Sequence, residues 1–182
     1  MIIDLGSGPH PKPDANICVD FHPWPRVNVQ HDLRVLPYPF ADNMADKIYF
    51  GDVIEHLDKF IVPAVLKDIL RILKPDGILD VTCPDIRWVC ERIANNDWAE
   101  HANVDWLNPT PDPFENAMSY VFGGWMTESE YKIPGMGHIN GFDEAKLKRM
   151  LLEAGFKTAV RVDDTRNPAP ARNSILRMLA TK

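Results

Sequence analysis

Apolar and polar positions along this chain fall into short blocks that repeat a strand-then-helix rhythm. "MIIDL" and "NICVDF" are compact apolar runs closed or interrupted by an acid, and "VNVQHD" is a third; each predicts a short buried strand. "DKIYFGD" predicts a fourth strand and "GILDVTC" a fifth. Between these two, Val62, Val65, Leu66, Ile69, Leu70 and Leu73 recur at helical spacing, Pro63 suits the first turn and "KPDG" supplies the stop. A second helix is expected over "PDIRWVCERIANN". A third runs from Asp143, a suitable N-cap, through Leu147, Met150 and Leu151 to Gly155, a suitable C-terminal stop. "KTAVRVDD" and "NSILRMLATK" predict two final strands joined by a Pro-rich loop.

Strands alternating with helices predict an α/β fold with a mostly parallel central sheet, the last two strands pairing as an antiparallel edge. Residues 97–137 break the rhythm. They carry Trp98, Trp106 and Trp125, an "NPTPDP" stretch and "FGGW". A long irregular segment in a compact domain is more often functional than accidental, so a substrate-side insertion or lid is expected at about 97–140. No internal repeat or second domain is visible, and residues 1–182 are expected to form one domain.

Composition narrows the partners. A chain of 182 residues with 45% hydrophobic and 25% charged residues is ordinary for a globular protein, and should bury roughly 70% of the surface its unfolded form exposes. The formal charge of −6 argues against nucleic acid, because clustered Lys and Arg are needed to displace counterions. Cys18, Cys83 and Cys90 form no CxxC pair and are odd in number, which fits reduced thiols and a cytoplasmic protein. No signal peptide precedes the first strand, and no apolar run approaches the ~20 residues of a membrane span.

The candidate chemistry starts at Gly6-Ser7-Gly8-Pro9-His10-Pro11. Two glycines at the end of a strand allow a sharp turn and close approach of a ligand. The third glycine of a dinucleotide-binding GxGxxG is missing. Pro9, Pro11 and Pro13 also oppose a regular first crossover helix, so it is expected shortened or absent. A pyrophosphate would sit on that helix's N-terminus. A nicotinamide or flavin dinucleotide is therefore a poor fit, and a nucleoside without phosphates a better one. Asp20 ends the second strand, where an acid takes both ribose hydroxyls in dinucleotide folds. S-adenosylmethionine has free 2′ and 3′ hydroxyls and no phosphate.

Five further pieces occur in order. "IIDLGSGP" and "CVD" are followed by "HDLRVLPYPFADNMADKIYFGDVIEHL", "ILRILKPDGILDVTCPD" and "GHINGFDEAKLKRMLLEAGF". Together they resemble the class I S-adenosylmethionine-dependent methyltransferases, especially the methyltransferase type 11 group, over most of residues 1–160. The resemblance implies a Rossmann-like methyltransferase fold. It places the cofactor's methionine part near Asp4, Gly6, Ser7 and Gly8, and its ribose at Asp20 with Phe21 beside it. Adenine falls at Asp32 and Leu33, and the sulfonium near Gly51 and Asp52. The Pro-rich link departs from the family pattern, so backbone amides or His10 would replace a helix terminus at the methionine carboxylate. With no helix before the first strand, a more open site is expected, or one completed by another subunit.

Methyl transfer needs alignment and exclusion of water, and a base only for some acceptors. Three candidates present themselves: His138, in a glycine-flanked loop; His56, after the fourth strand; and Asp85, at the fifth strand's tip. Each has a structural alternative. His138 also reads as a loop histidine bonded to backbone, His56 as capping or packing a helix start, and Asp85 as a helix N-cap. Trp24, Tyr120, Phe122 and Trp125 are candidates for an acceptor pocket or a cation–π contact, and His22 for a cofactor-side wall. No metal-ligand set is assigned.

The expected activity is methylation of a small molecule or sugar, with oxygen mildly preferred. The fourth-strand tip reads "GDVIEH", not the Asn-Pro-Pro-Tyr type used on exocyclic or amide nitrogens. The alternative is a non-catalytic S-adenosylmethionine-binding partner or regulatory subunit. A closed pocket around Asp85, Tyr120 and His138 would favour the enzyme, a flat apolar face the subunit. An open cofactor cleft on a short chain makes a homodimer reasonable.

Overall fold

The structure, a computed structural model, describes residues 1–96, 113–123, 135–163 and 174–182. Among the described residues, seven strands form one sheet in the order β3-β2-β1-β4-β5-β7-β6. They are β1 Ile2–Leu5, β2 Ile17–Asp20, β3 Val29–Gln30, β4 Ala45–Gly51, β5 Leu73–Pro84, β6 Thr158–Val162 and β7 Ile175–Thr181. Strands β1 to β5 pair in parallel, whereas β7 runs antiparallel to both β5 and β6. The antiparallel pair thus lies at the sheet's edge as expected, with the reversed strand β7 one position in.

The helices follow the apolar periodicity. Helix α1, Val62–Ile72, buries Val62, Val65, Leu66, Ile69 and Ile72, and Pro63 sits in its first turn. Each of these side chains contributes about 1.5–3 kcal/mol on full burial. Helix α2, Ile86–Asn95, begins at Asp85, whose carboxylate accepts the Trp88 amide. Helix α3, Pro113–Phe122, lies inside the segment expected to be irregular. Its Ala117 and Tyr120 meet Val89 of α2 in a small separate cluster, a spacing of three that the surrounding prolines obscured. Helix α4, Glu144–Ala154, starts at Asp143, which accepts the Lys146 amide, and ends at Gly155 with φ 112°. Trp98, Trp106 and Trp125 fall outside the described residues.

Register explains the two faces of the sheet. Ile3, Ile48, Leu79 and Ala180 form one cross-strand row, and all join the main core with α1 and α4. The neighbouring row is Asp4, Tyr49, Asp80 and Leu179. Alternation forces it to the opposite face, and there the contacts are polar. Asp80 pairs with Arg177 at 2.8 Å and Lys47 at 3.1 Å, and the Tyr49 hydroxyl donates to Asp14 at 3.0 Å.

No helix joins β1 to β2, as the prolines required. Carboxylates organise the link instead. Buried Asp4 accepts the Lys12 amide at 2.8 Å, and Asp20 accepts the Gly8 amide at 2.8 Å. The Gly6 and Ser7 amides both reach the Val19 carbonyl, at 2.8 and 3.0 Å. Strand order reverses between β1 and β4, and a crevice opens at the carboxyl ends of the strands on either side of such a reversal.

Candidate functional site

A cleft of about 270 Å³ lies at these strand ends. Its walls include Gly6 and Gly8 just beyond β1, Asp20 at the tip of β2, Asp32 just beyond β3 and Asp52 just beyond β4. Backbone conformation shows why glycine is needed at the first two. Gly6 has φ +75° and a Cβ there would meet Val53 Cγ2 at 2.3 Å; Gly8 has φ +58° and open space around it. The chain turns tightly under Val53 and then presents bare backbone to the cleft.

Asp20 is half-buried, with its two oxygens accepting the amides of Gly8 and His22, both at 2.8 Å. Each carboxylate oxygen retains a second lone pair. The carboxylate is oriented by the loop it organises. Asp32 is forked by Arg34, with Nε at 2.9 Å from Oδ1 and Nη2 at 2.7 Å from Oδ2. Hydrogen bonding to Arg34 holds its carboxyl below the ordinary range. Arg34 also lies 5.9 Å from the Phe21 ring centroid. Asp52 has φ 56°, a left-handed conformation that Asp tolerates better than most residues.

The expected cofactor residues therefore divide. Gly6, Gly8, Asp20, Phe21, Asp32, Leu33 and Asp52 line the cleft; Asp4, Ser7 and Gly51 do not. Burial pushes the Asp4 carboxyl up, opposed by the Lys12 amide. Sequence reasoning missed Val53, Arg34, Leu57, Gly135 and Met136 as wall residues. The adjacency of Arg34 to Leu33 and of Val53 to Asp52 offered a signal; Gly135 and Met136 arrive from far along the chain.

The three base candidates are not equivalent. His56 lines the cleft. His138 is buried beside it, ring centroids 4.8 Å apart and edge-to-face, and does not itself line the wall. Its Nδ1 donates to the Tyr120 carbonyl at 3.0 Å, and His56 Nδ1 donates to the Gly137 carbonyl at 3.3 Å. Burial, with repulsion from His56, lowers His138 to about 4, and burial lowers His56 as well. Both shifts favour the neutral imidazole. Asp85 is buried, caps α2 and pairs with Arg161 at 3.0 Å, so the structure brings it to a helix start rather than to the cleft. Tyr120 is buried too, which leaves Asp85, Tyr120 and His138 as neither a pocket rim nor a flat face. Trp24 and His22 stand in the cleft wall, and Phe122 is exposed.

A wider depression of about 780 Å³ runs between α2 and α4 past Arg87, Cys90 and Lys146. It lies on the outer surface of the helices and holds none of the expected site residues, so the smaller cleft at the strand tips is the better candidate. Cys18, Cys83 and Cys90 are free thiols, the first two buried. No helix among the described residues is long and apolar enough to cross a membrane.

Residues 5–159 match the family of methyltransferase domains. No curated protein matches the chain. Among solved structures, it is similar over its whole length to a Burkholderia thailandensis 1,6-didemethyltoxoflavin-N1-methyltransferase with bound 1,6-didemethyltoxoflavin and S-adenosylhomocysteine, at 16% identity and TM-score 0.57, covering 70% of that chain. A methyltransferase from Thermotoga maritima is similar at 17% identity and TM-score 0.59, with 100% of this chain and 81% of that one covered. One from Archaeoglobus fulgidus is similar at 13% identity and TM-score 0.58, with 100% and 85% covered. With the strand order, the reversed β7 and the cleft at the β1–β4 reversal, this match means that the chain belongs to the methyltransferase-domain family, with the class I S-adenosylmethionine-dependent fold.

Proposed function

We propose that the protein methylates a small-molecule or sugar acceptor, with oxygen the preferred atom, using S-adenosylmethionine held in the cleft at the tips of β1, β2 and β4. The observation that carries this reading is Asp20, a carboxylate fixed by the Gly8 and His22 amides at the cleft wall, beside the unobstructed backbone of Gly8. Two buried polar atoms next to it, Ser7 Oγ and His22 Nε2, make no hydrogen bond within the protein. The donor set thus fits a nucleoside carrying hydroxyl, amine and carboxylate groups.

When bound, the cofactor supplies a methyl group activated by its sulfonium charge. The residues would divide the rest of the work. Asp20 accepts from the ribose hydroxyls, with Phe21 and Trp24 flanking. Asp32 and Leu33 border the adenine, with Arg34 limiting how Asp32 presents its oxygens. Gly6 and Gly8 would admit the methionine part, Asp4 keeps the loop in shape through the Lys12 amide, and Asp52, just after Gly51, would border the sulfonium. His56 closes the acceptor side, its ring held by the Gly137 carbonyl. A homodimer in the cytoplasm is part of the same reading.

Calorimetric titration with S-adenosylhomocysteine and S-adenosylmethionine tests the cofactor site, with micromolar binding expected. Release of S-adenosylhomocysteine in the presence of sugars and small hydroxylated acceptors tests the reaction. Binding without turnover on any acceptor would favour a cofactor-binding subunit; no binding would remove the reading altogether.

A further inference from the structure

Glu55, His56 and His138 meet where the 3-10 turn Ile54–His56 docks on residues 136–140. One ligand atom from each side chain lies within 4.8 Å of the others, and His138 Nε2 is 3.9 Å from Glu55 Oε1. The backbone on both sides is pinned. The Ile139 and Asn140 amides donate to the Glu55 carbonyl at 2.9 and 3.0 Å, and the His138 amide donates to the Phe122 carbonyl at 3.3 Å. Lys146 of α4 holds the next turn, at 2.8 Å from Asn140 Oδ1 and 2.7 Å from the Gly141 carbonyl.

The ring orientations matter most. Nδ1 of each histidine donates to a main-chain carbonyl, Tyr120 for His138 and Gly137 for His56. That arrangement fixes the tautomer, with the proton on Nδ1, as the backbone carbonyl does for a metal-ligating imidazole. Glu55 and His138 are buried, whereas His56 forms part of the cleft wall. The cluster is therefore enclosed on the protein side and reached from the cleft. Asp52, four residues before His56, is in the same wall.

We propose that Glu55, His56 and His138 bind a divalent transition-metal ion at the acceptor side of the cleft. Two imidazoles and a carboxylate are the donor set of open zinc sites and of facial-triad iron sites. Ligand bonds of about 2.0–2.2 Å bring such donors roughly 3–3.5 Å apart, so side-chain rotations of about 1 Å complete the site. Three protein ligands leave positions open, and the approach to them is the cleft. The site stands on this geometry alone. Its use rests on the methyl-transfer reading: an ion there would polarise an acceptor hydroxyl and ease loss of its proton.

The test uses the untagged full chain after chelator treatment, titrated with Co2+ by visible absorption and with Zn2+ by calorimetry. S-adenosylhomocysteine is titrated separately into the wild type. The expected result is one ion per chain, with cobalt d–d bands and no thiolate charge-transfer band, which excludes Cys90 as a ligand. Affinity should fall at least tenfold in Glu55→Gln, His138→Gln and His56→Gln. The partly exposed position of His56 keeps the test decisive where a buried variant fails to fold. No stoichiometric binding, or undiminished binding in the folded variants, overturns the site. S-adenosylhomocysteine binding without metal binding rejects the metal site and leaves the cofactor reading standing; the opposite pattern supports the metal site and rejects the cofactor reading.

Discussion

Val53 closes over Gly6 so tightly that a Cβ on residue 6 would meet its Cγ2 at 2.3 Å. Residues from the tips of β1 and β4 therefore interlock at the floor of the cleft. Gly6→Ala should destabilise the protein by about 2–3 kcal/mol, through this overlap and a φ of +75°. Gly8→Ala adds a methyl to open space at φ +58°, and should cost about 1 kcal/mol while weakening S-adenosylhomocysteine binding more than stability. Urea unfolding and calorimetry on both variants measure the contrast. Val53→Ala should recover part of the Gly6→Ala loss, and equal losses with and without it would refute the interlock.

Asp20 holds two amides as well as facing the cleft, so deletion of its side chain would confound loop and ligand. Asp20→Asn keeps one carbonyl-type oxygen. It should lower S-adenosylhomocysteine affinity at least tenfold, about 1.4 kcal/mol, with a small change in melting temperature. Unchanged affinity would move the ribose away from this residue.

Asp80 links stability to pH. Burial raises its carboxyl, but the Arg177 fork and Lys47 outweigh that and leave it below the ordinary range. A folded-state value below the unfolded value of about 3.9 contributes stability that is complete above that pH. The contribution disappears as pH falls through the folded value. Asp80→Asn should destabilise the protein by about 2 kcal/mol at pH 7, and its stability should fall less steeply than the wild type's between about pH 5 and 2. Parallel curves from urea melts across that range would exclude the linkage.

Asp85 is a test of structure against chemistry. Its carboxylate caps α2 and pairs with Arg161, and does not line the cleft. Asp85→Ala should cost about 1–2 kcal/mol of stability and leave S-adenosylhomocysteine affinity unchanged. A folded variant with normal stability and lost turnover would restore the acceptor-contact role.

Much of this was legible beforehand because it depends on local chemistry. Pro9, Pro11 and Pro13 forbid a helix between β1 and β2, and none forms. Asp143 and Gly155 mark the ends of α4 where their capping preferences place them. α3 was obscured because the "NPTPDP" run before it masks a short apolar face that packs on α2 rather than on the sheet.

The sequence by itself determined the strand-and-helix alternation, the helix-free first crossover and the identity of the acids at the strand tips. Those properties follow from backbone conformational limits and apolar spacing, which act over a few residues. Tertiary structure alone decided which of these residues share a wall. It brought Gly135 and Met136 into the wall with Asp52, paired Asp85 with Arg161 and buried His138 against Glu55 and His56. Each of these depends on strand order or on a segment folded back from far along the chain, and no local preference encodes a contact between residues eighty positions apart.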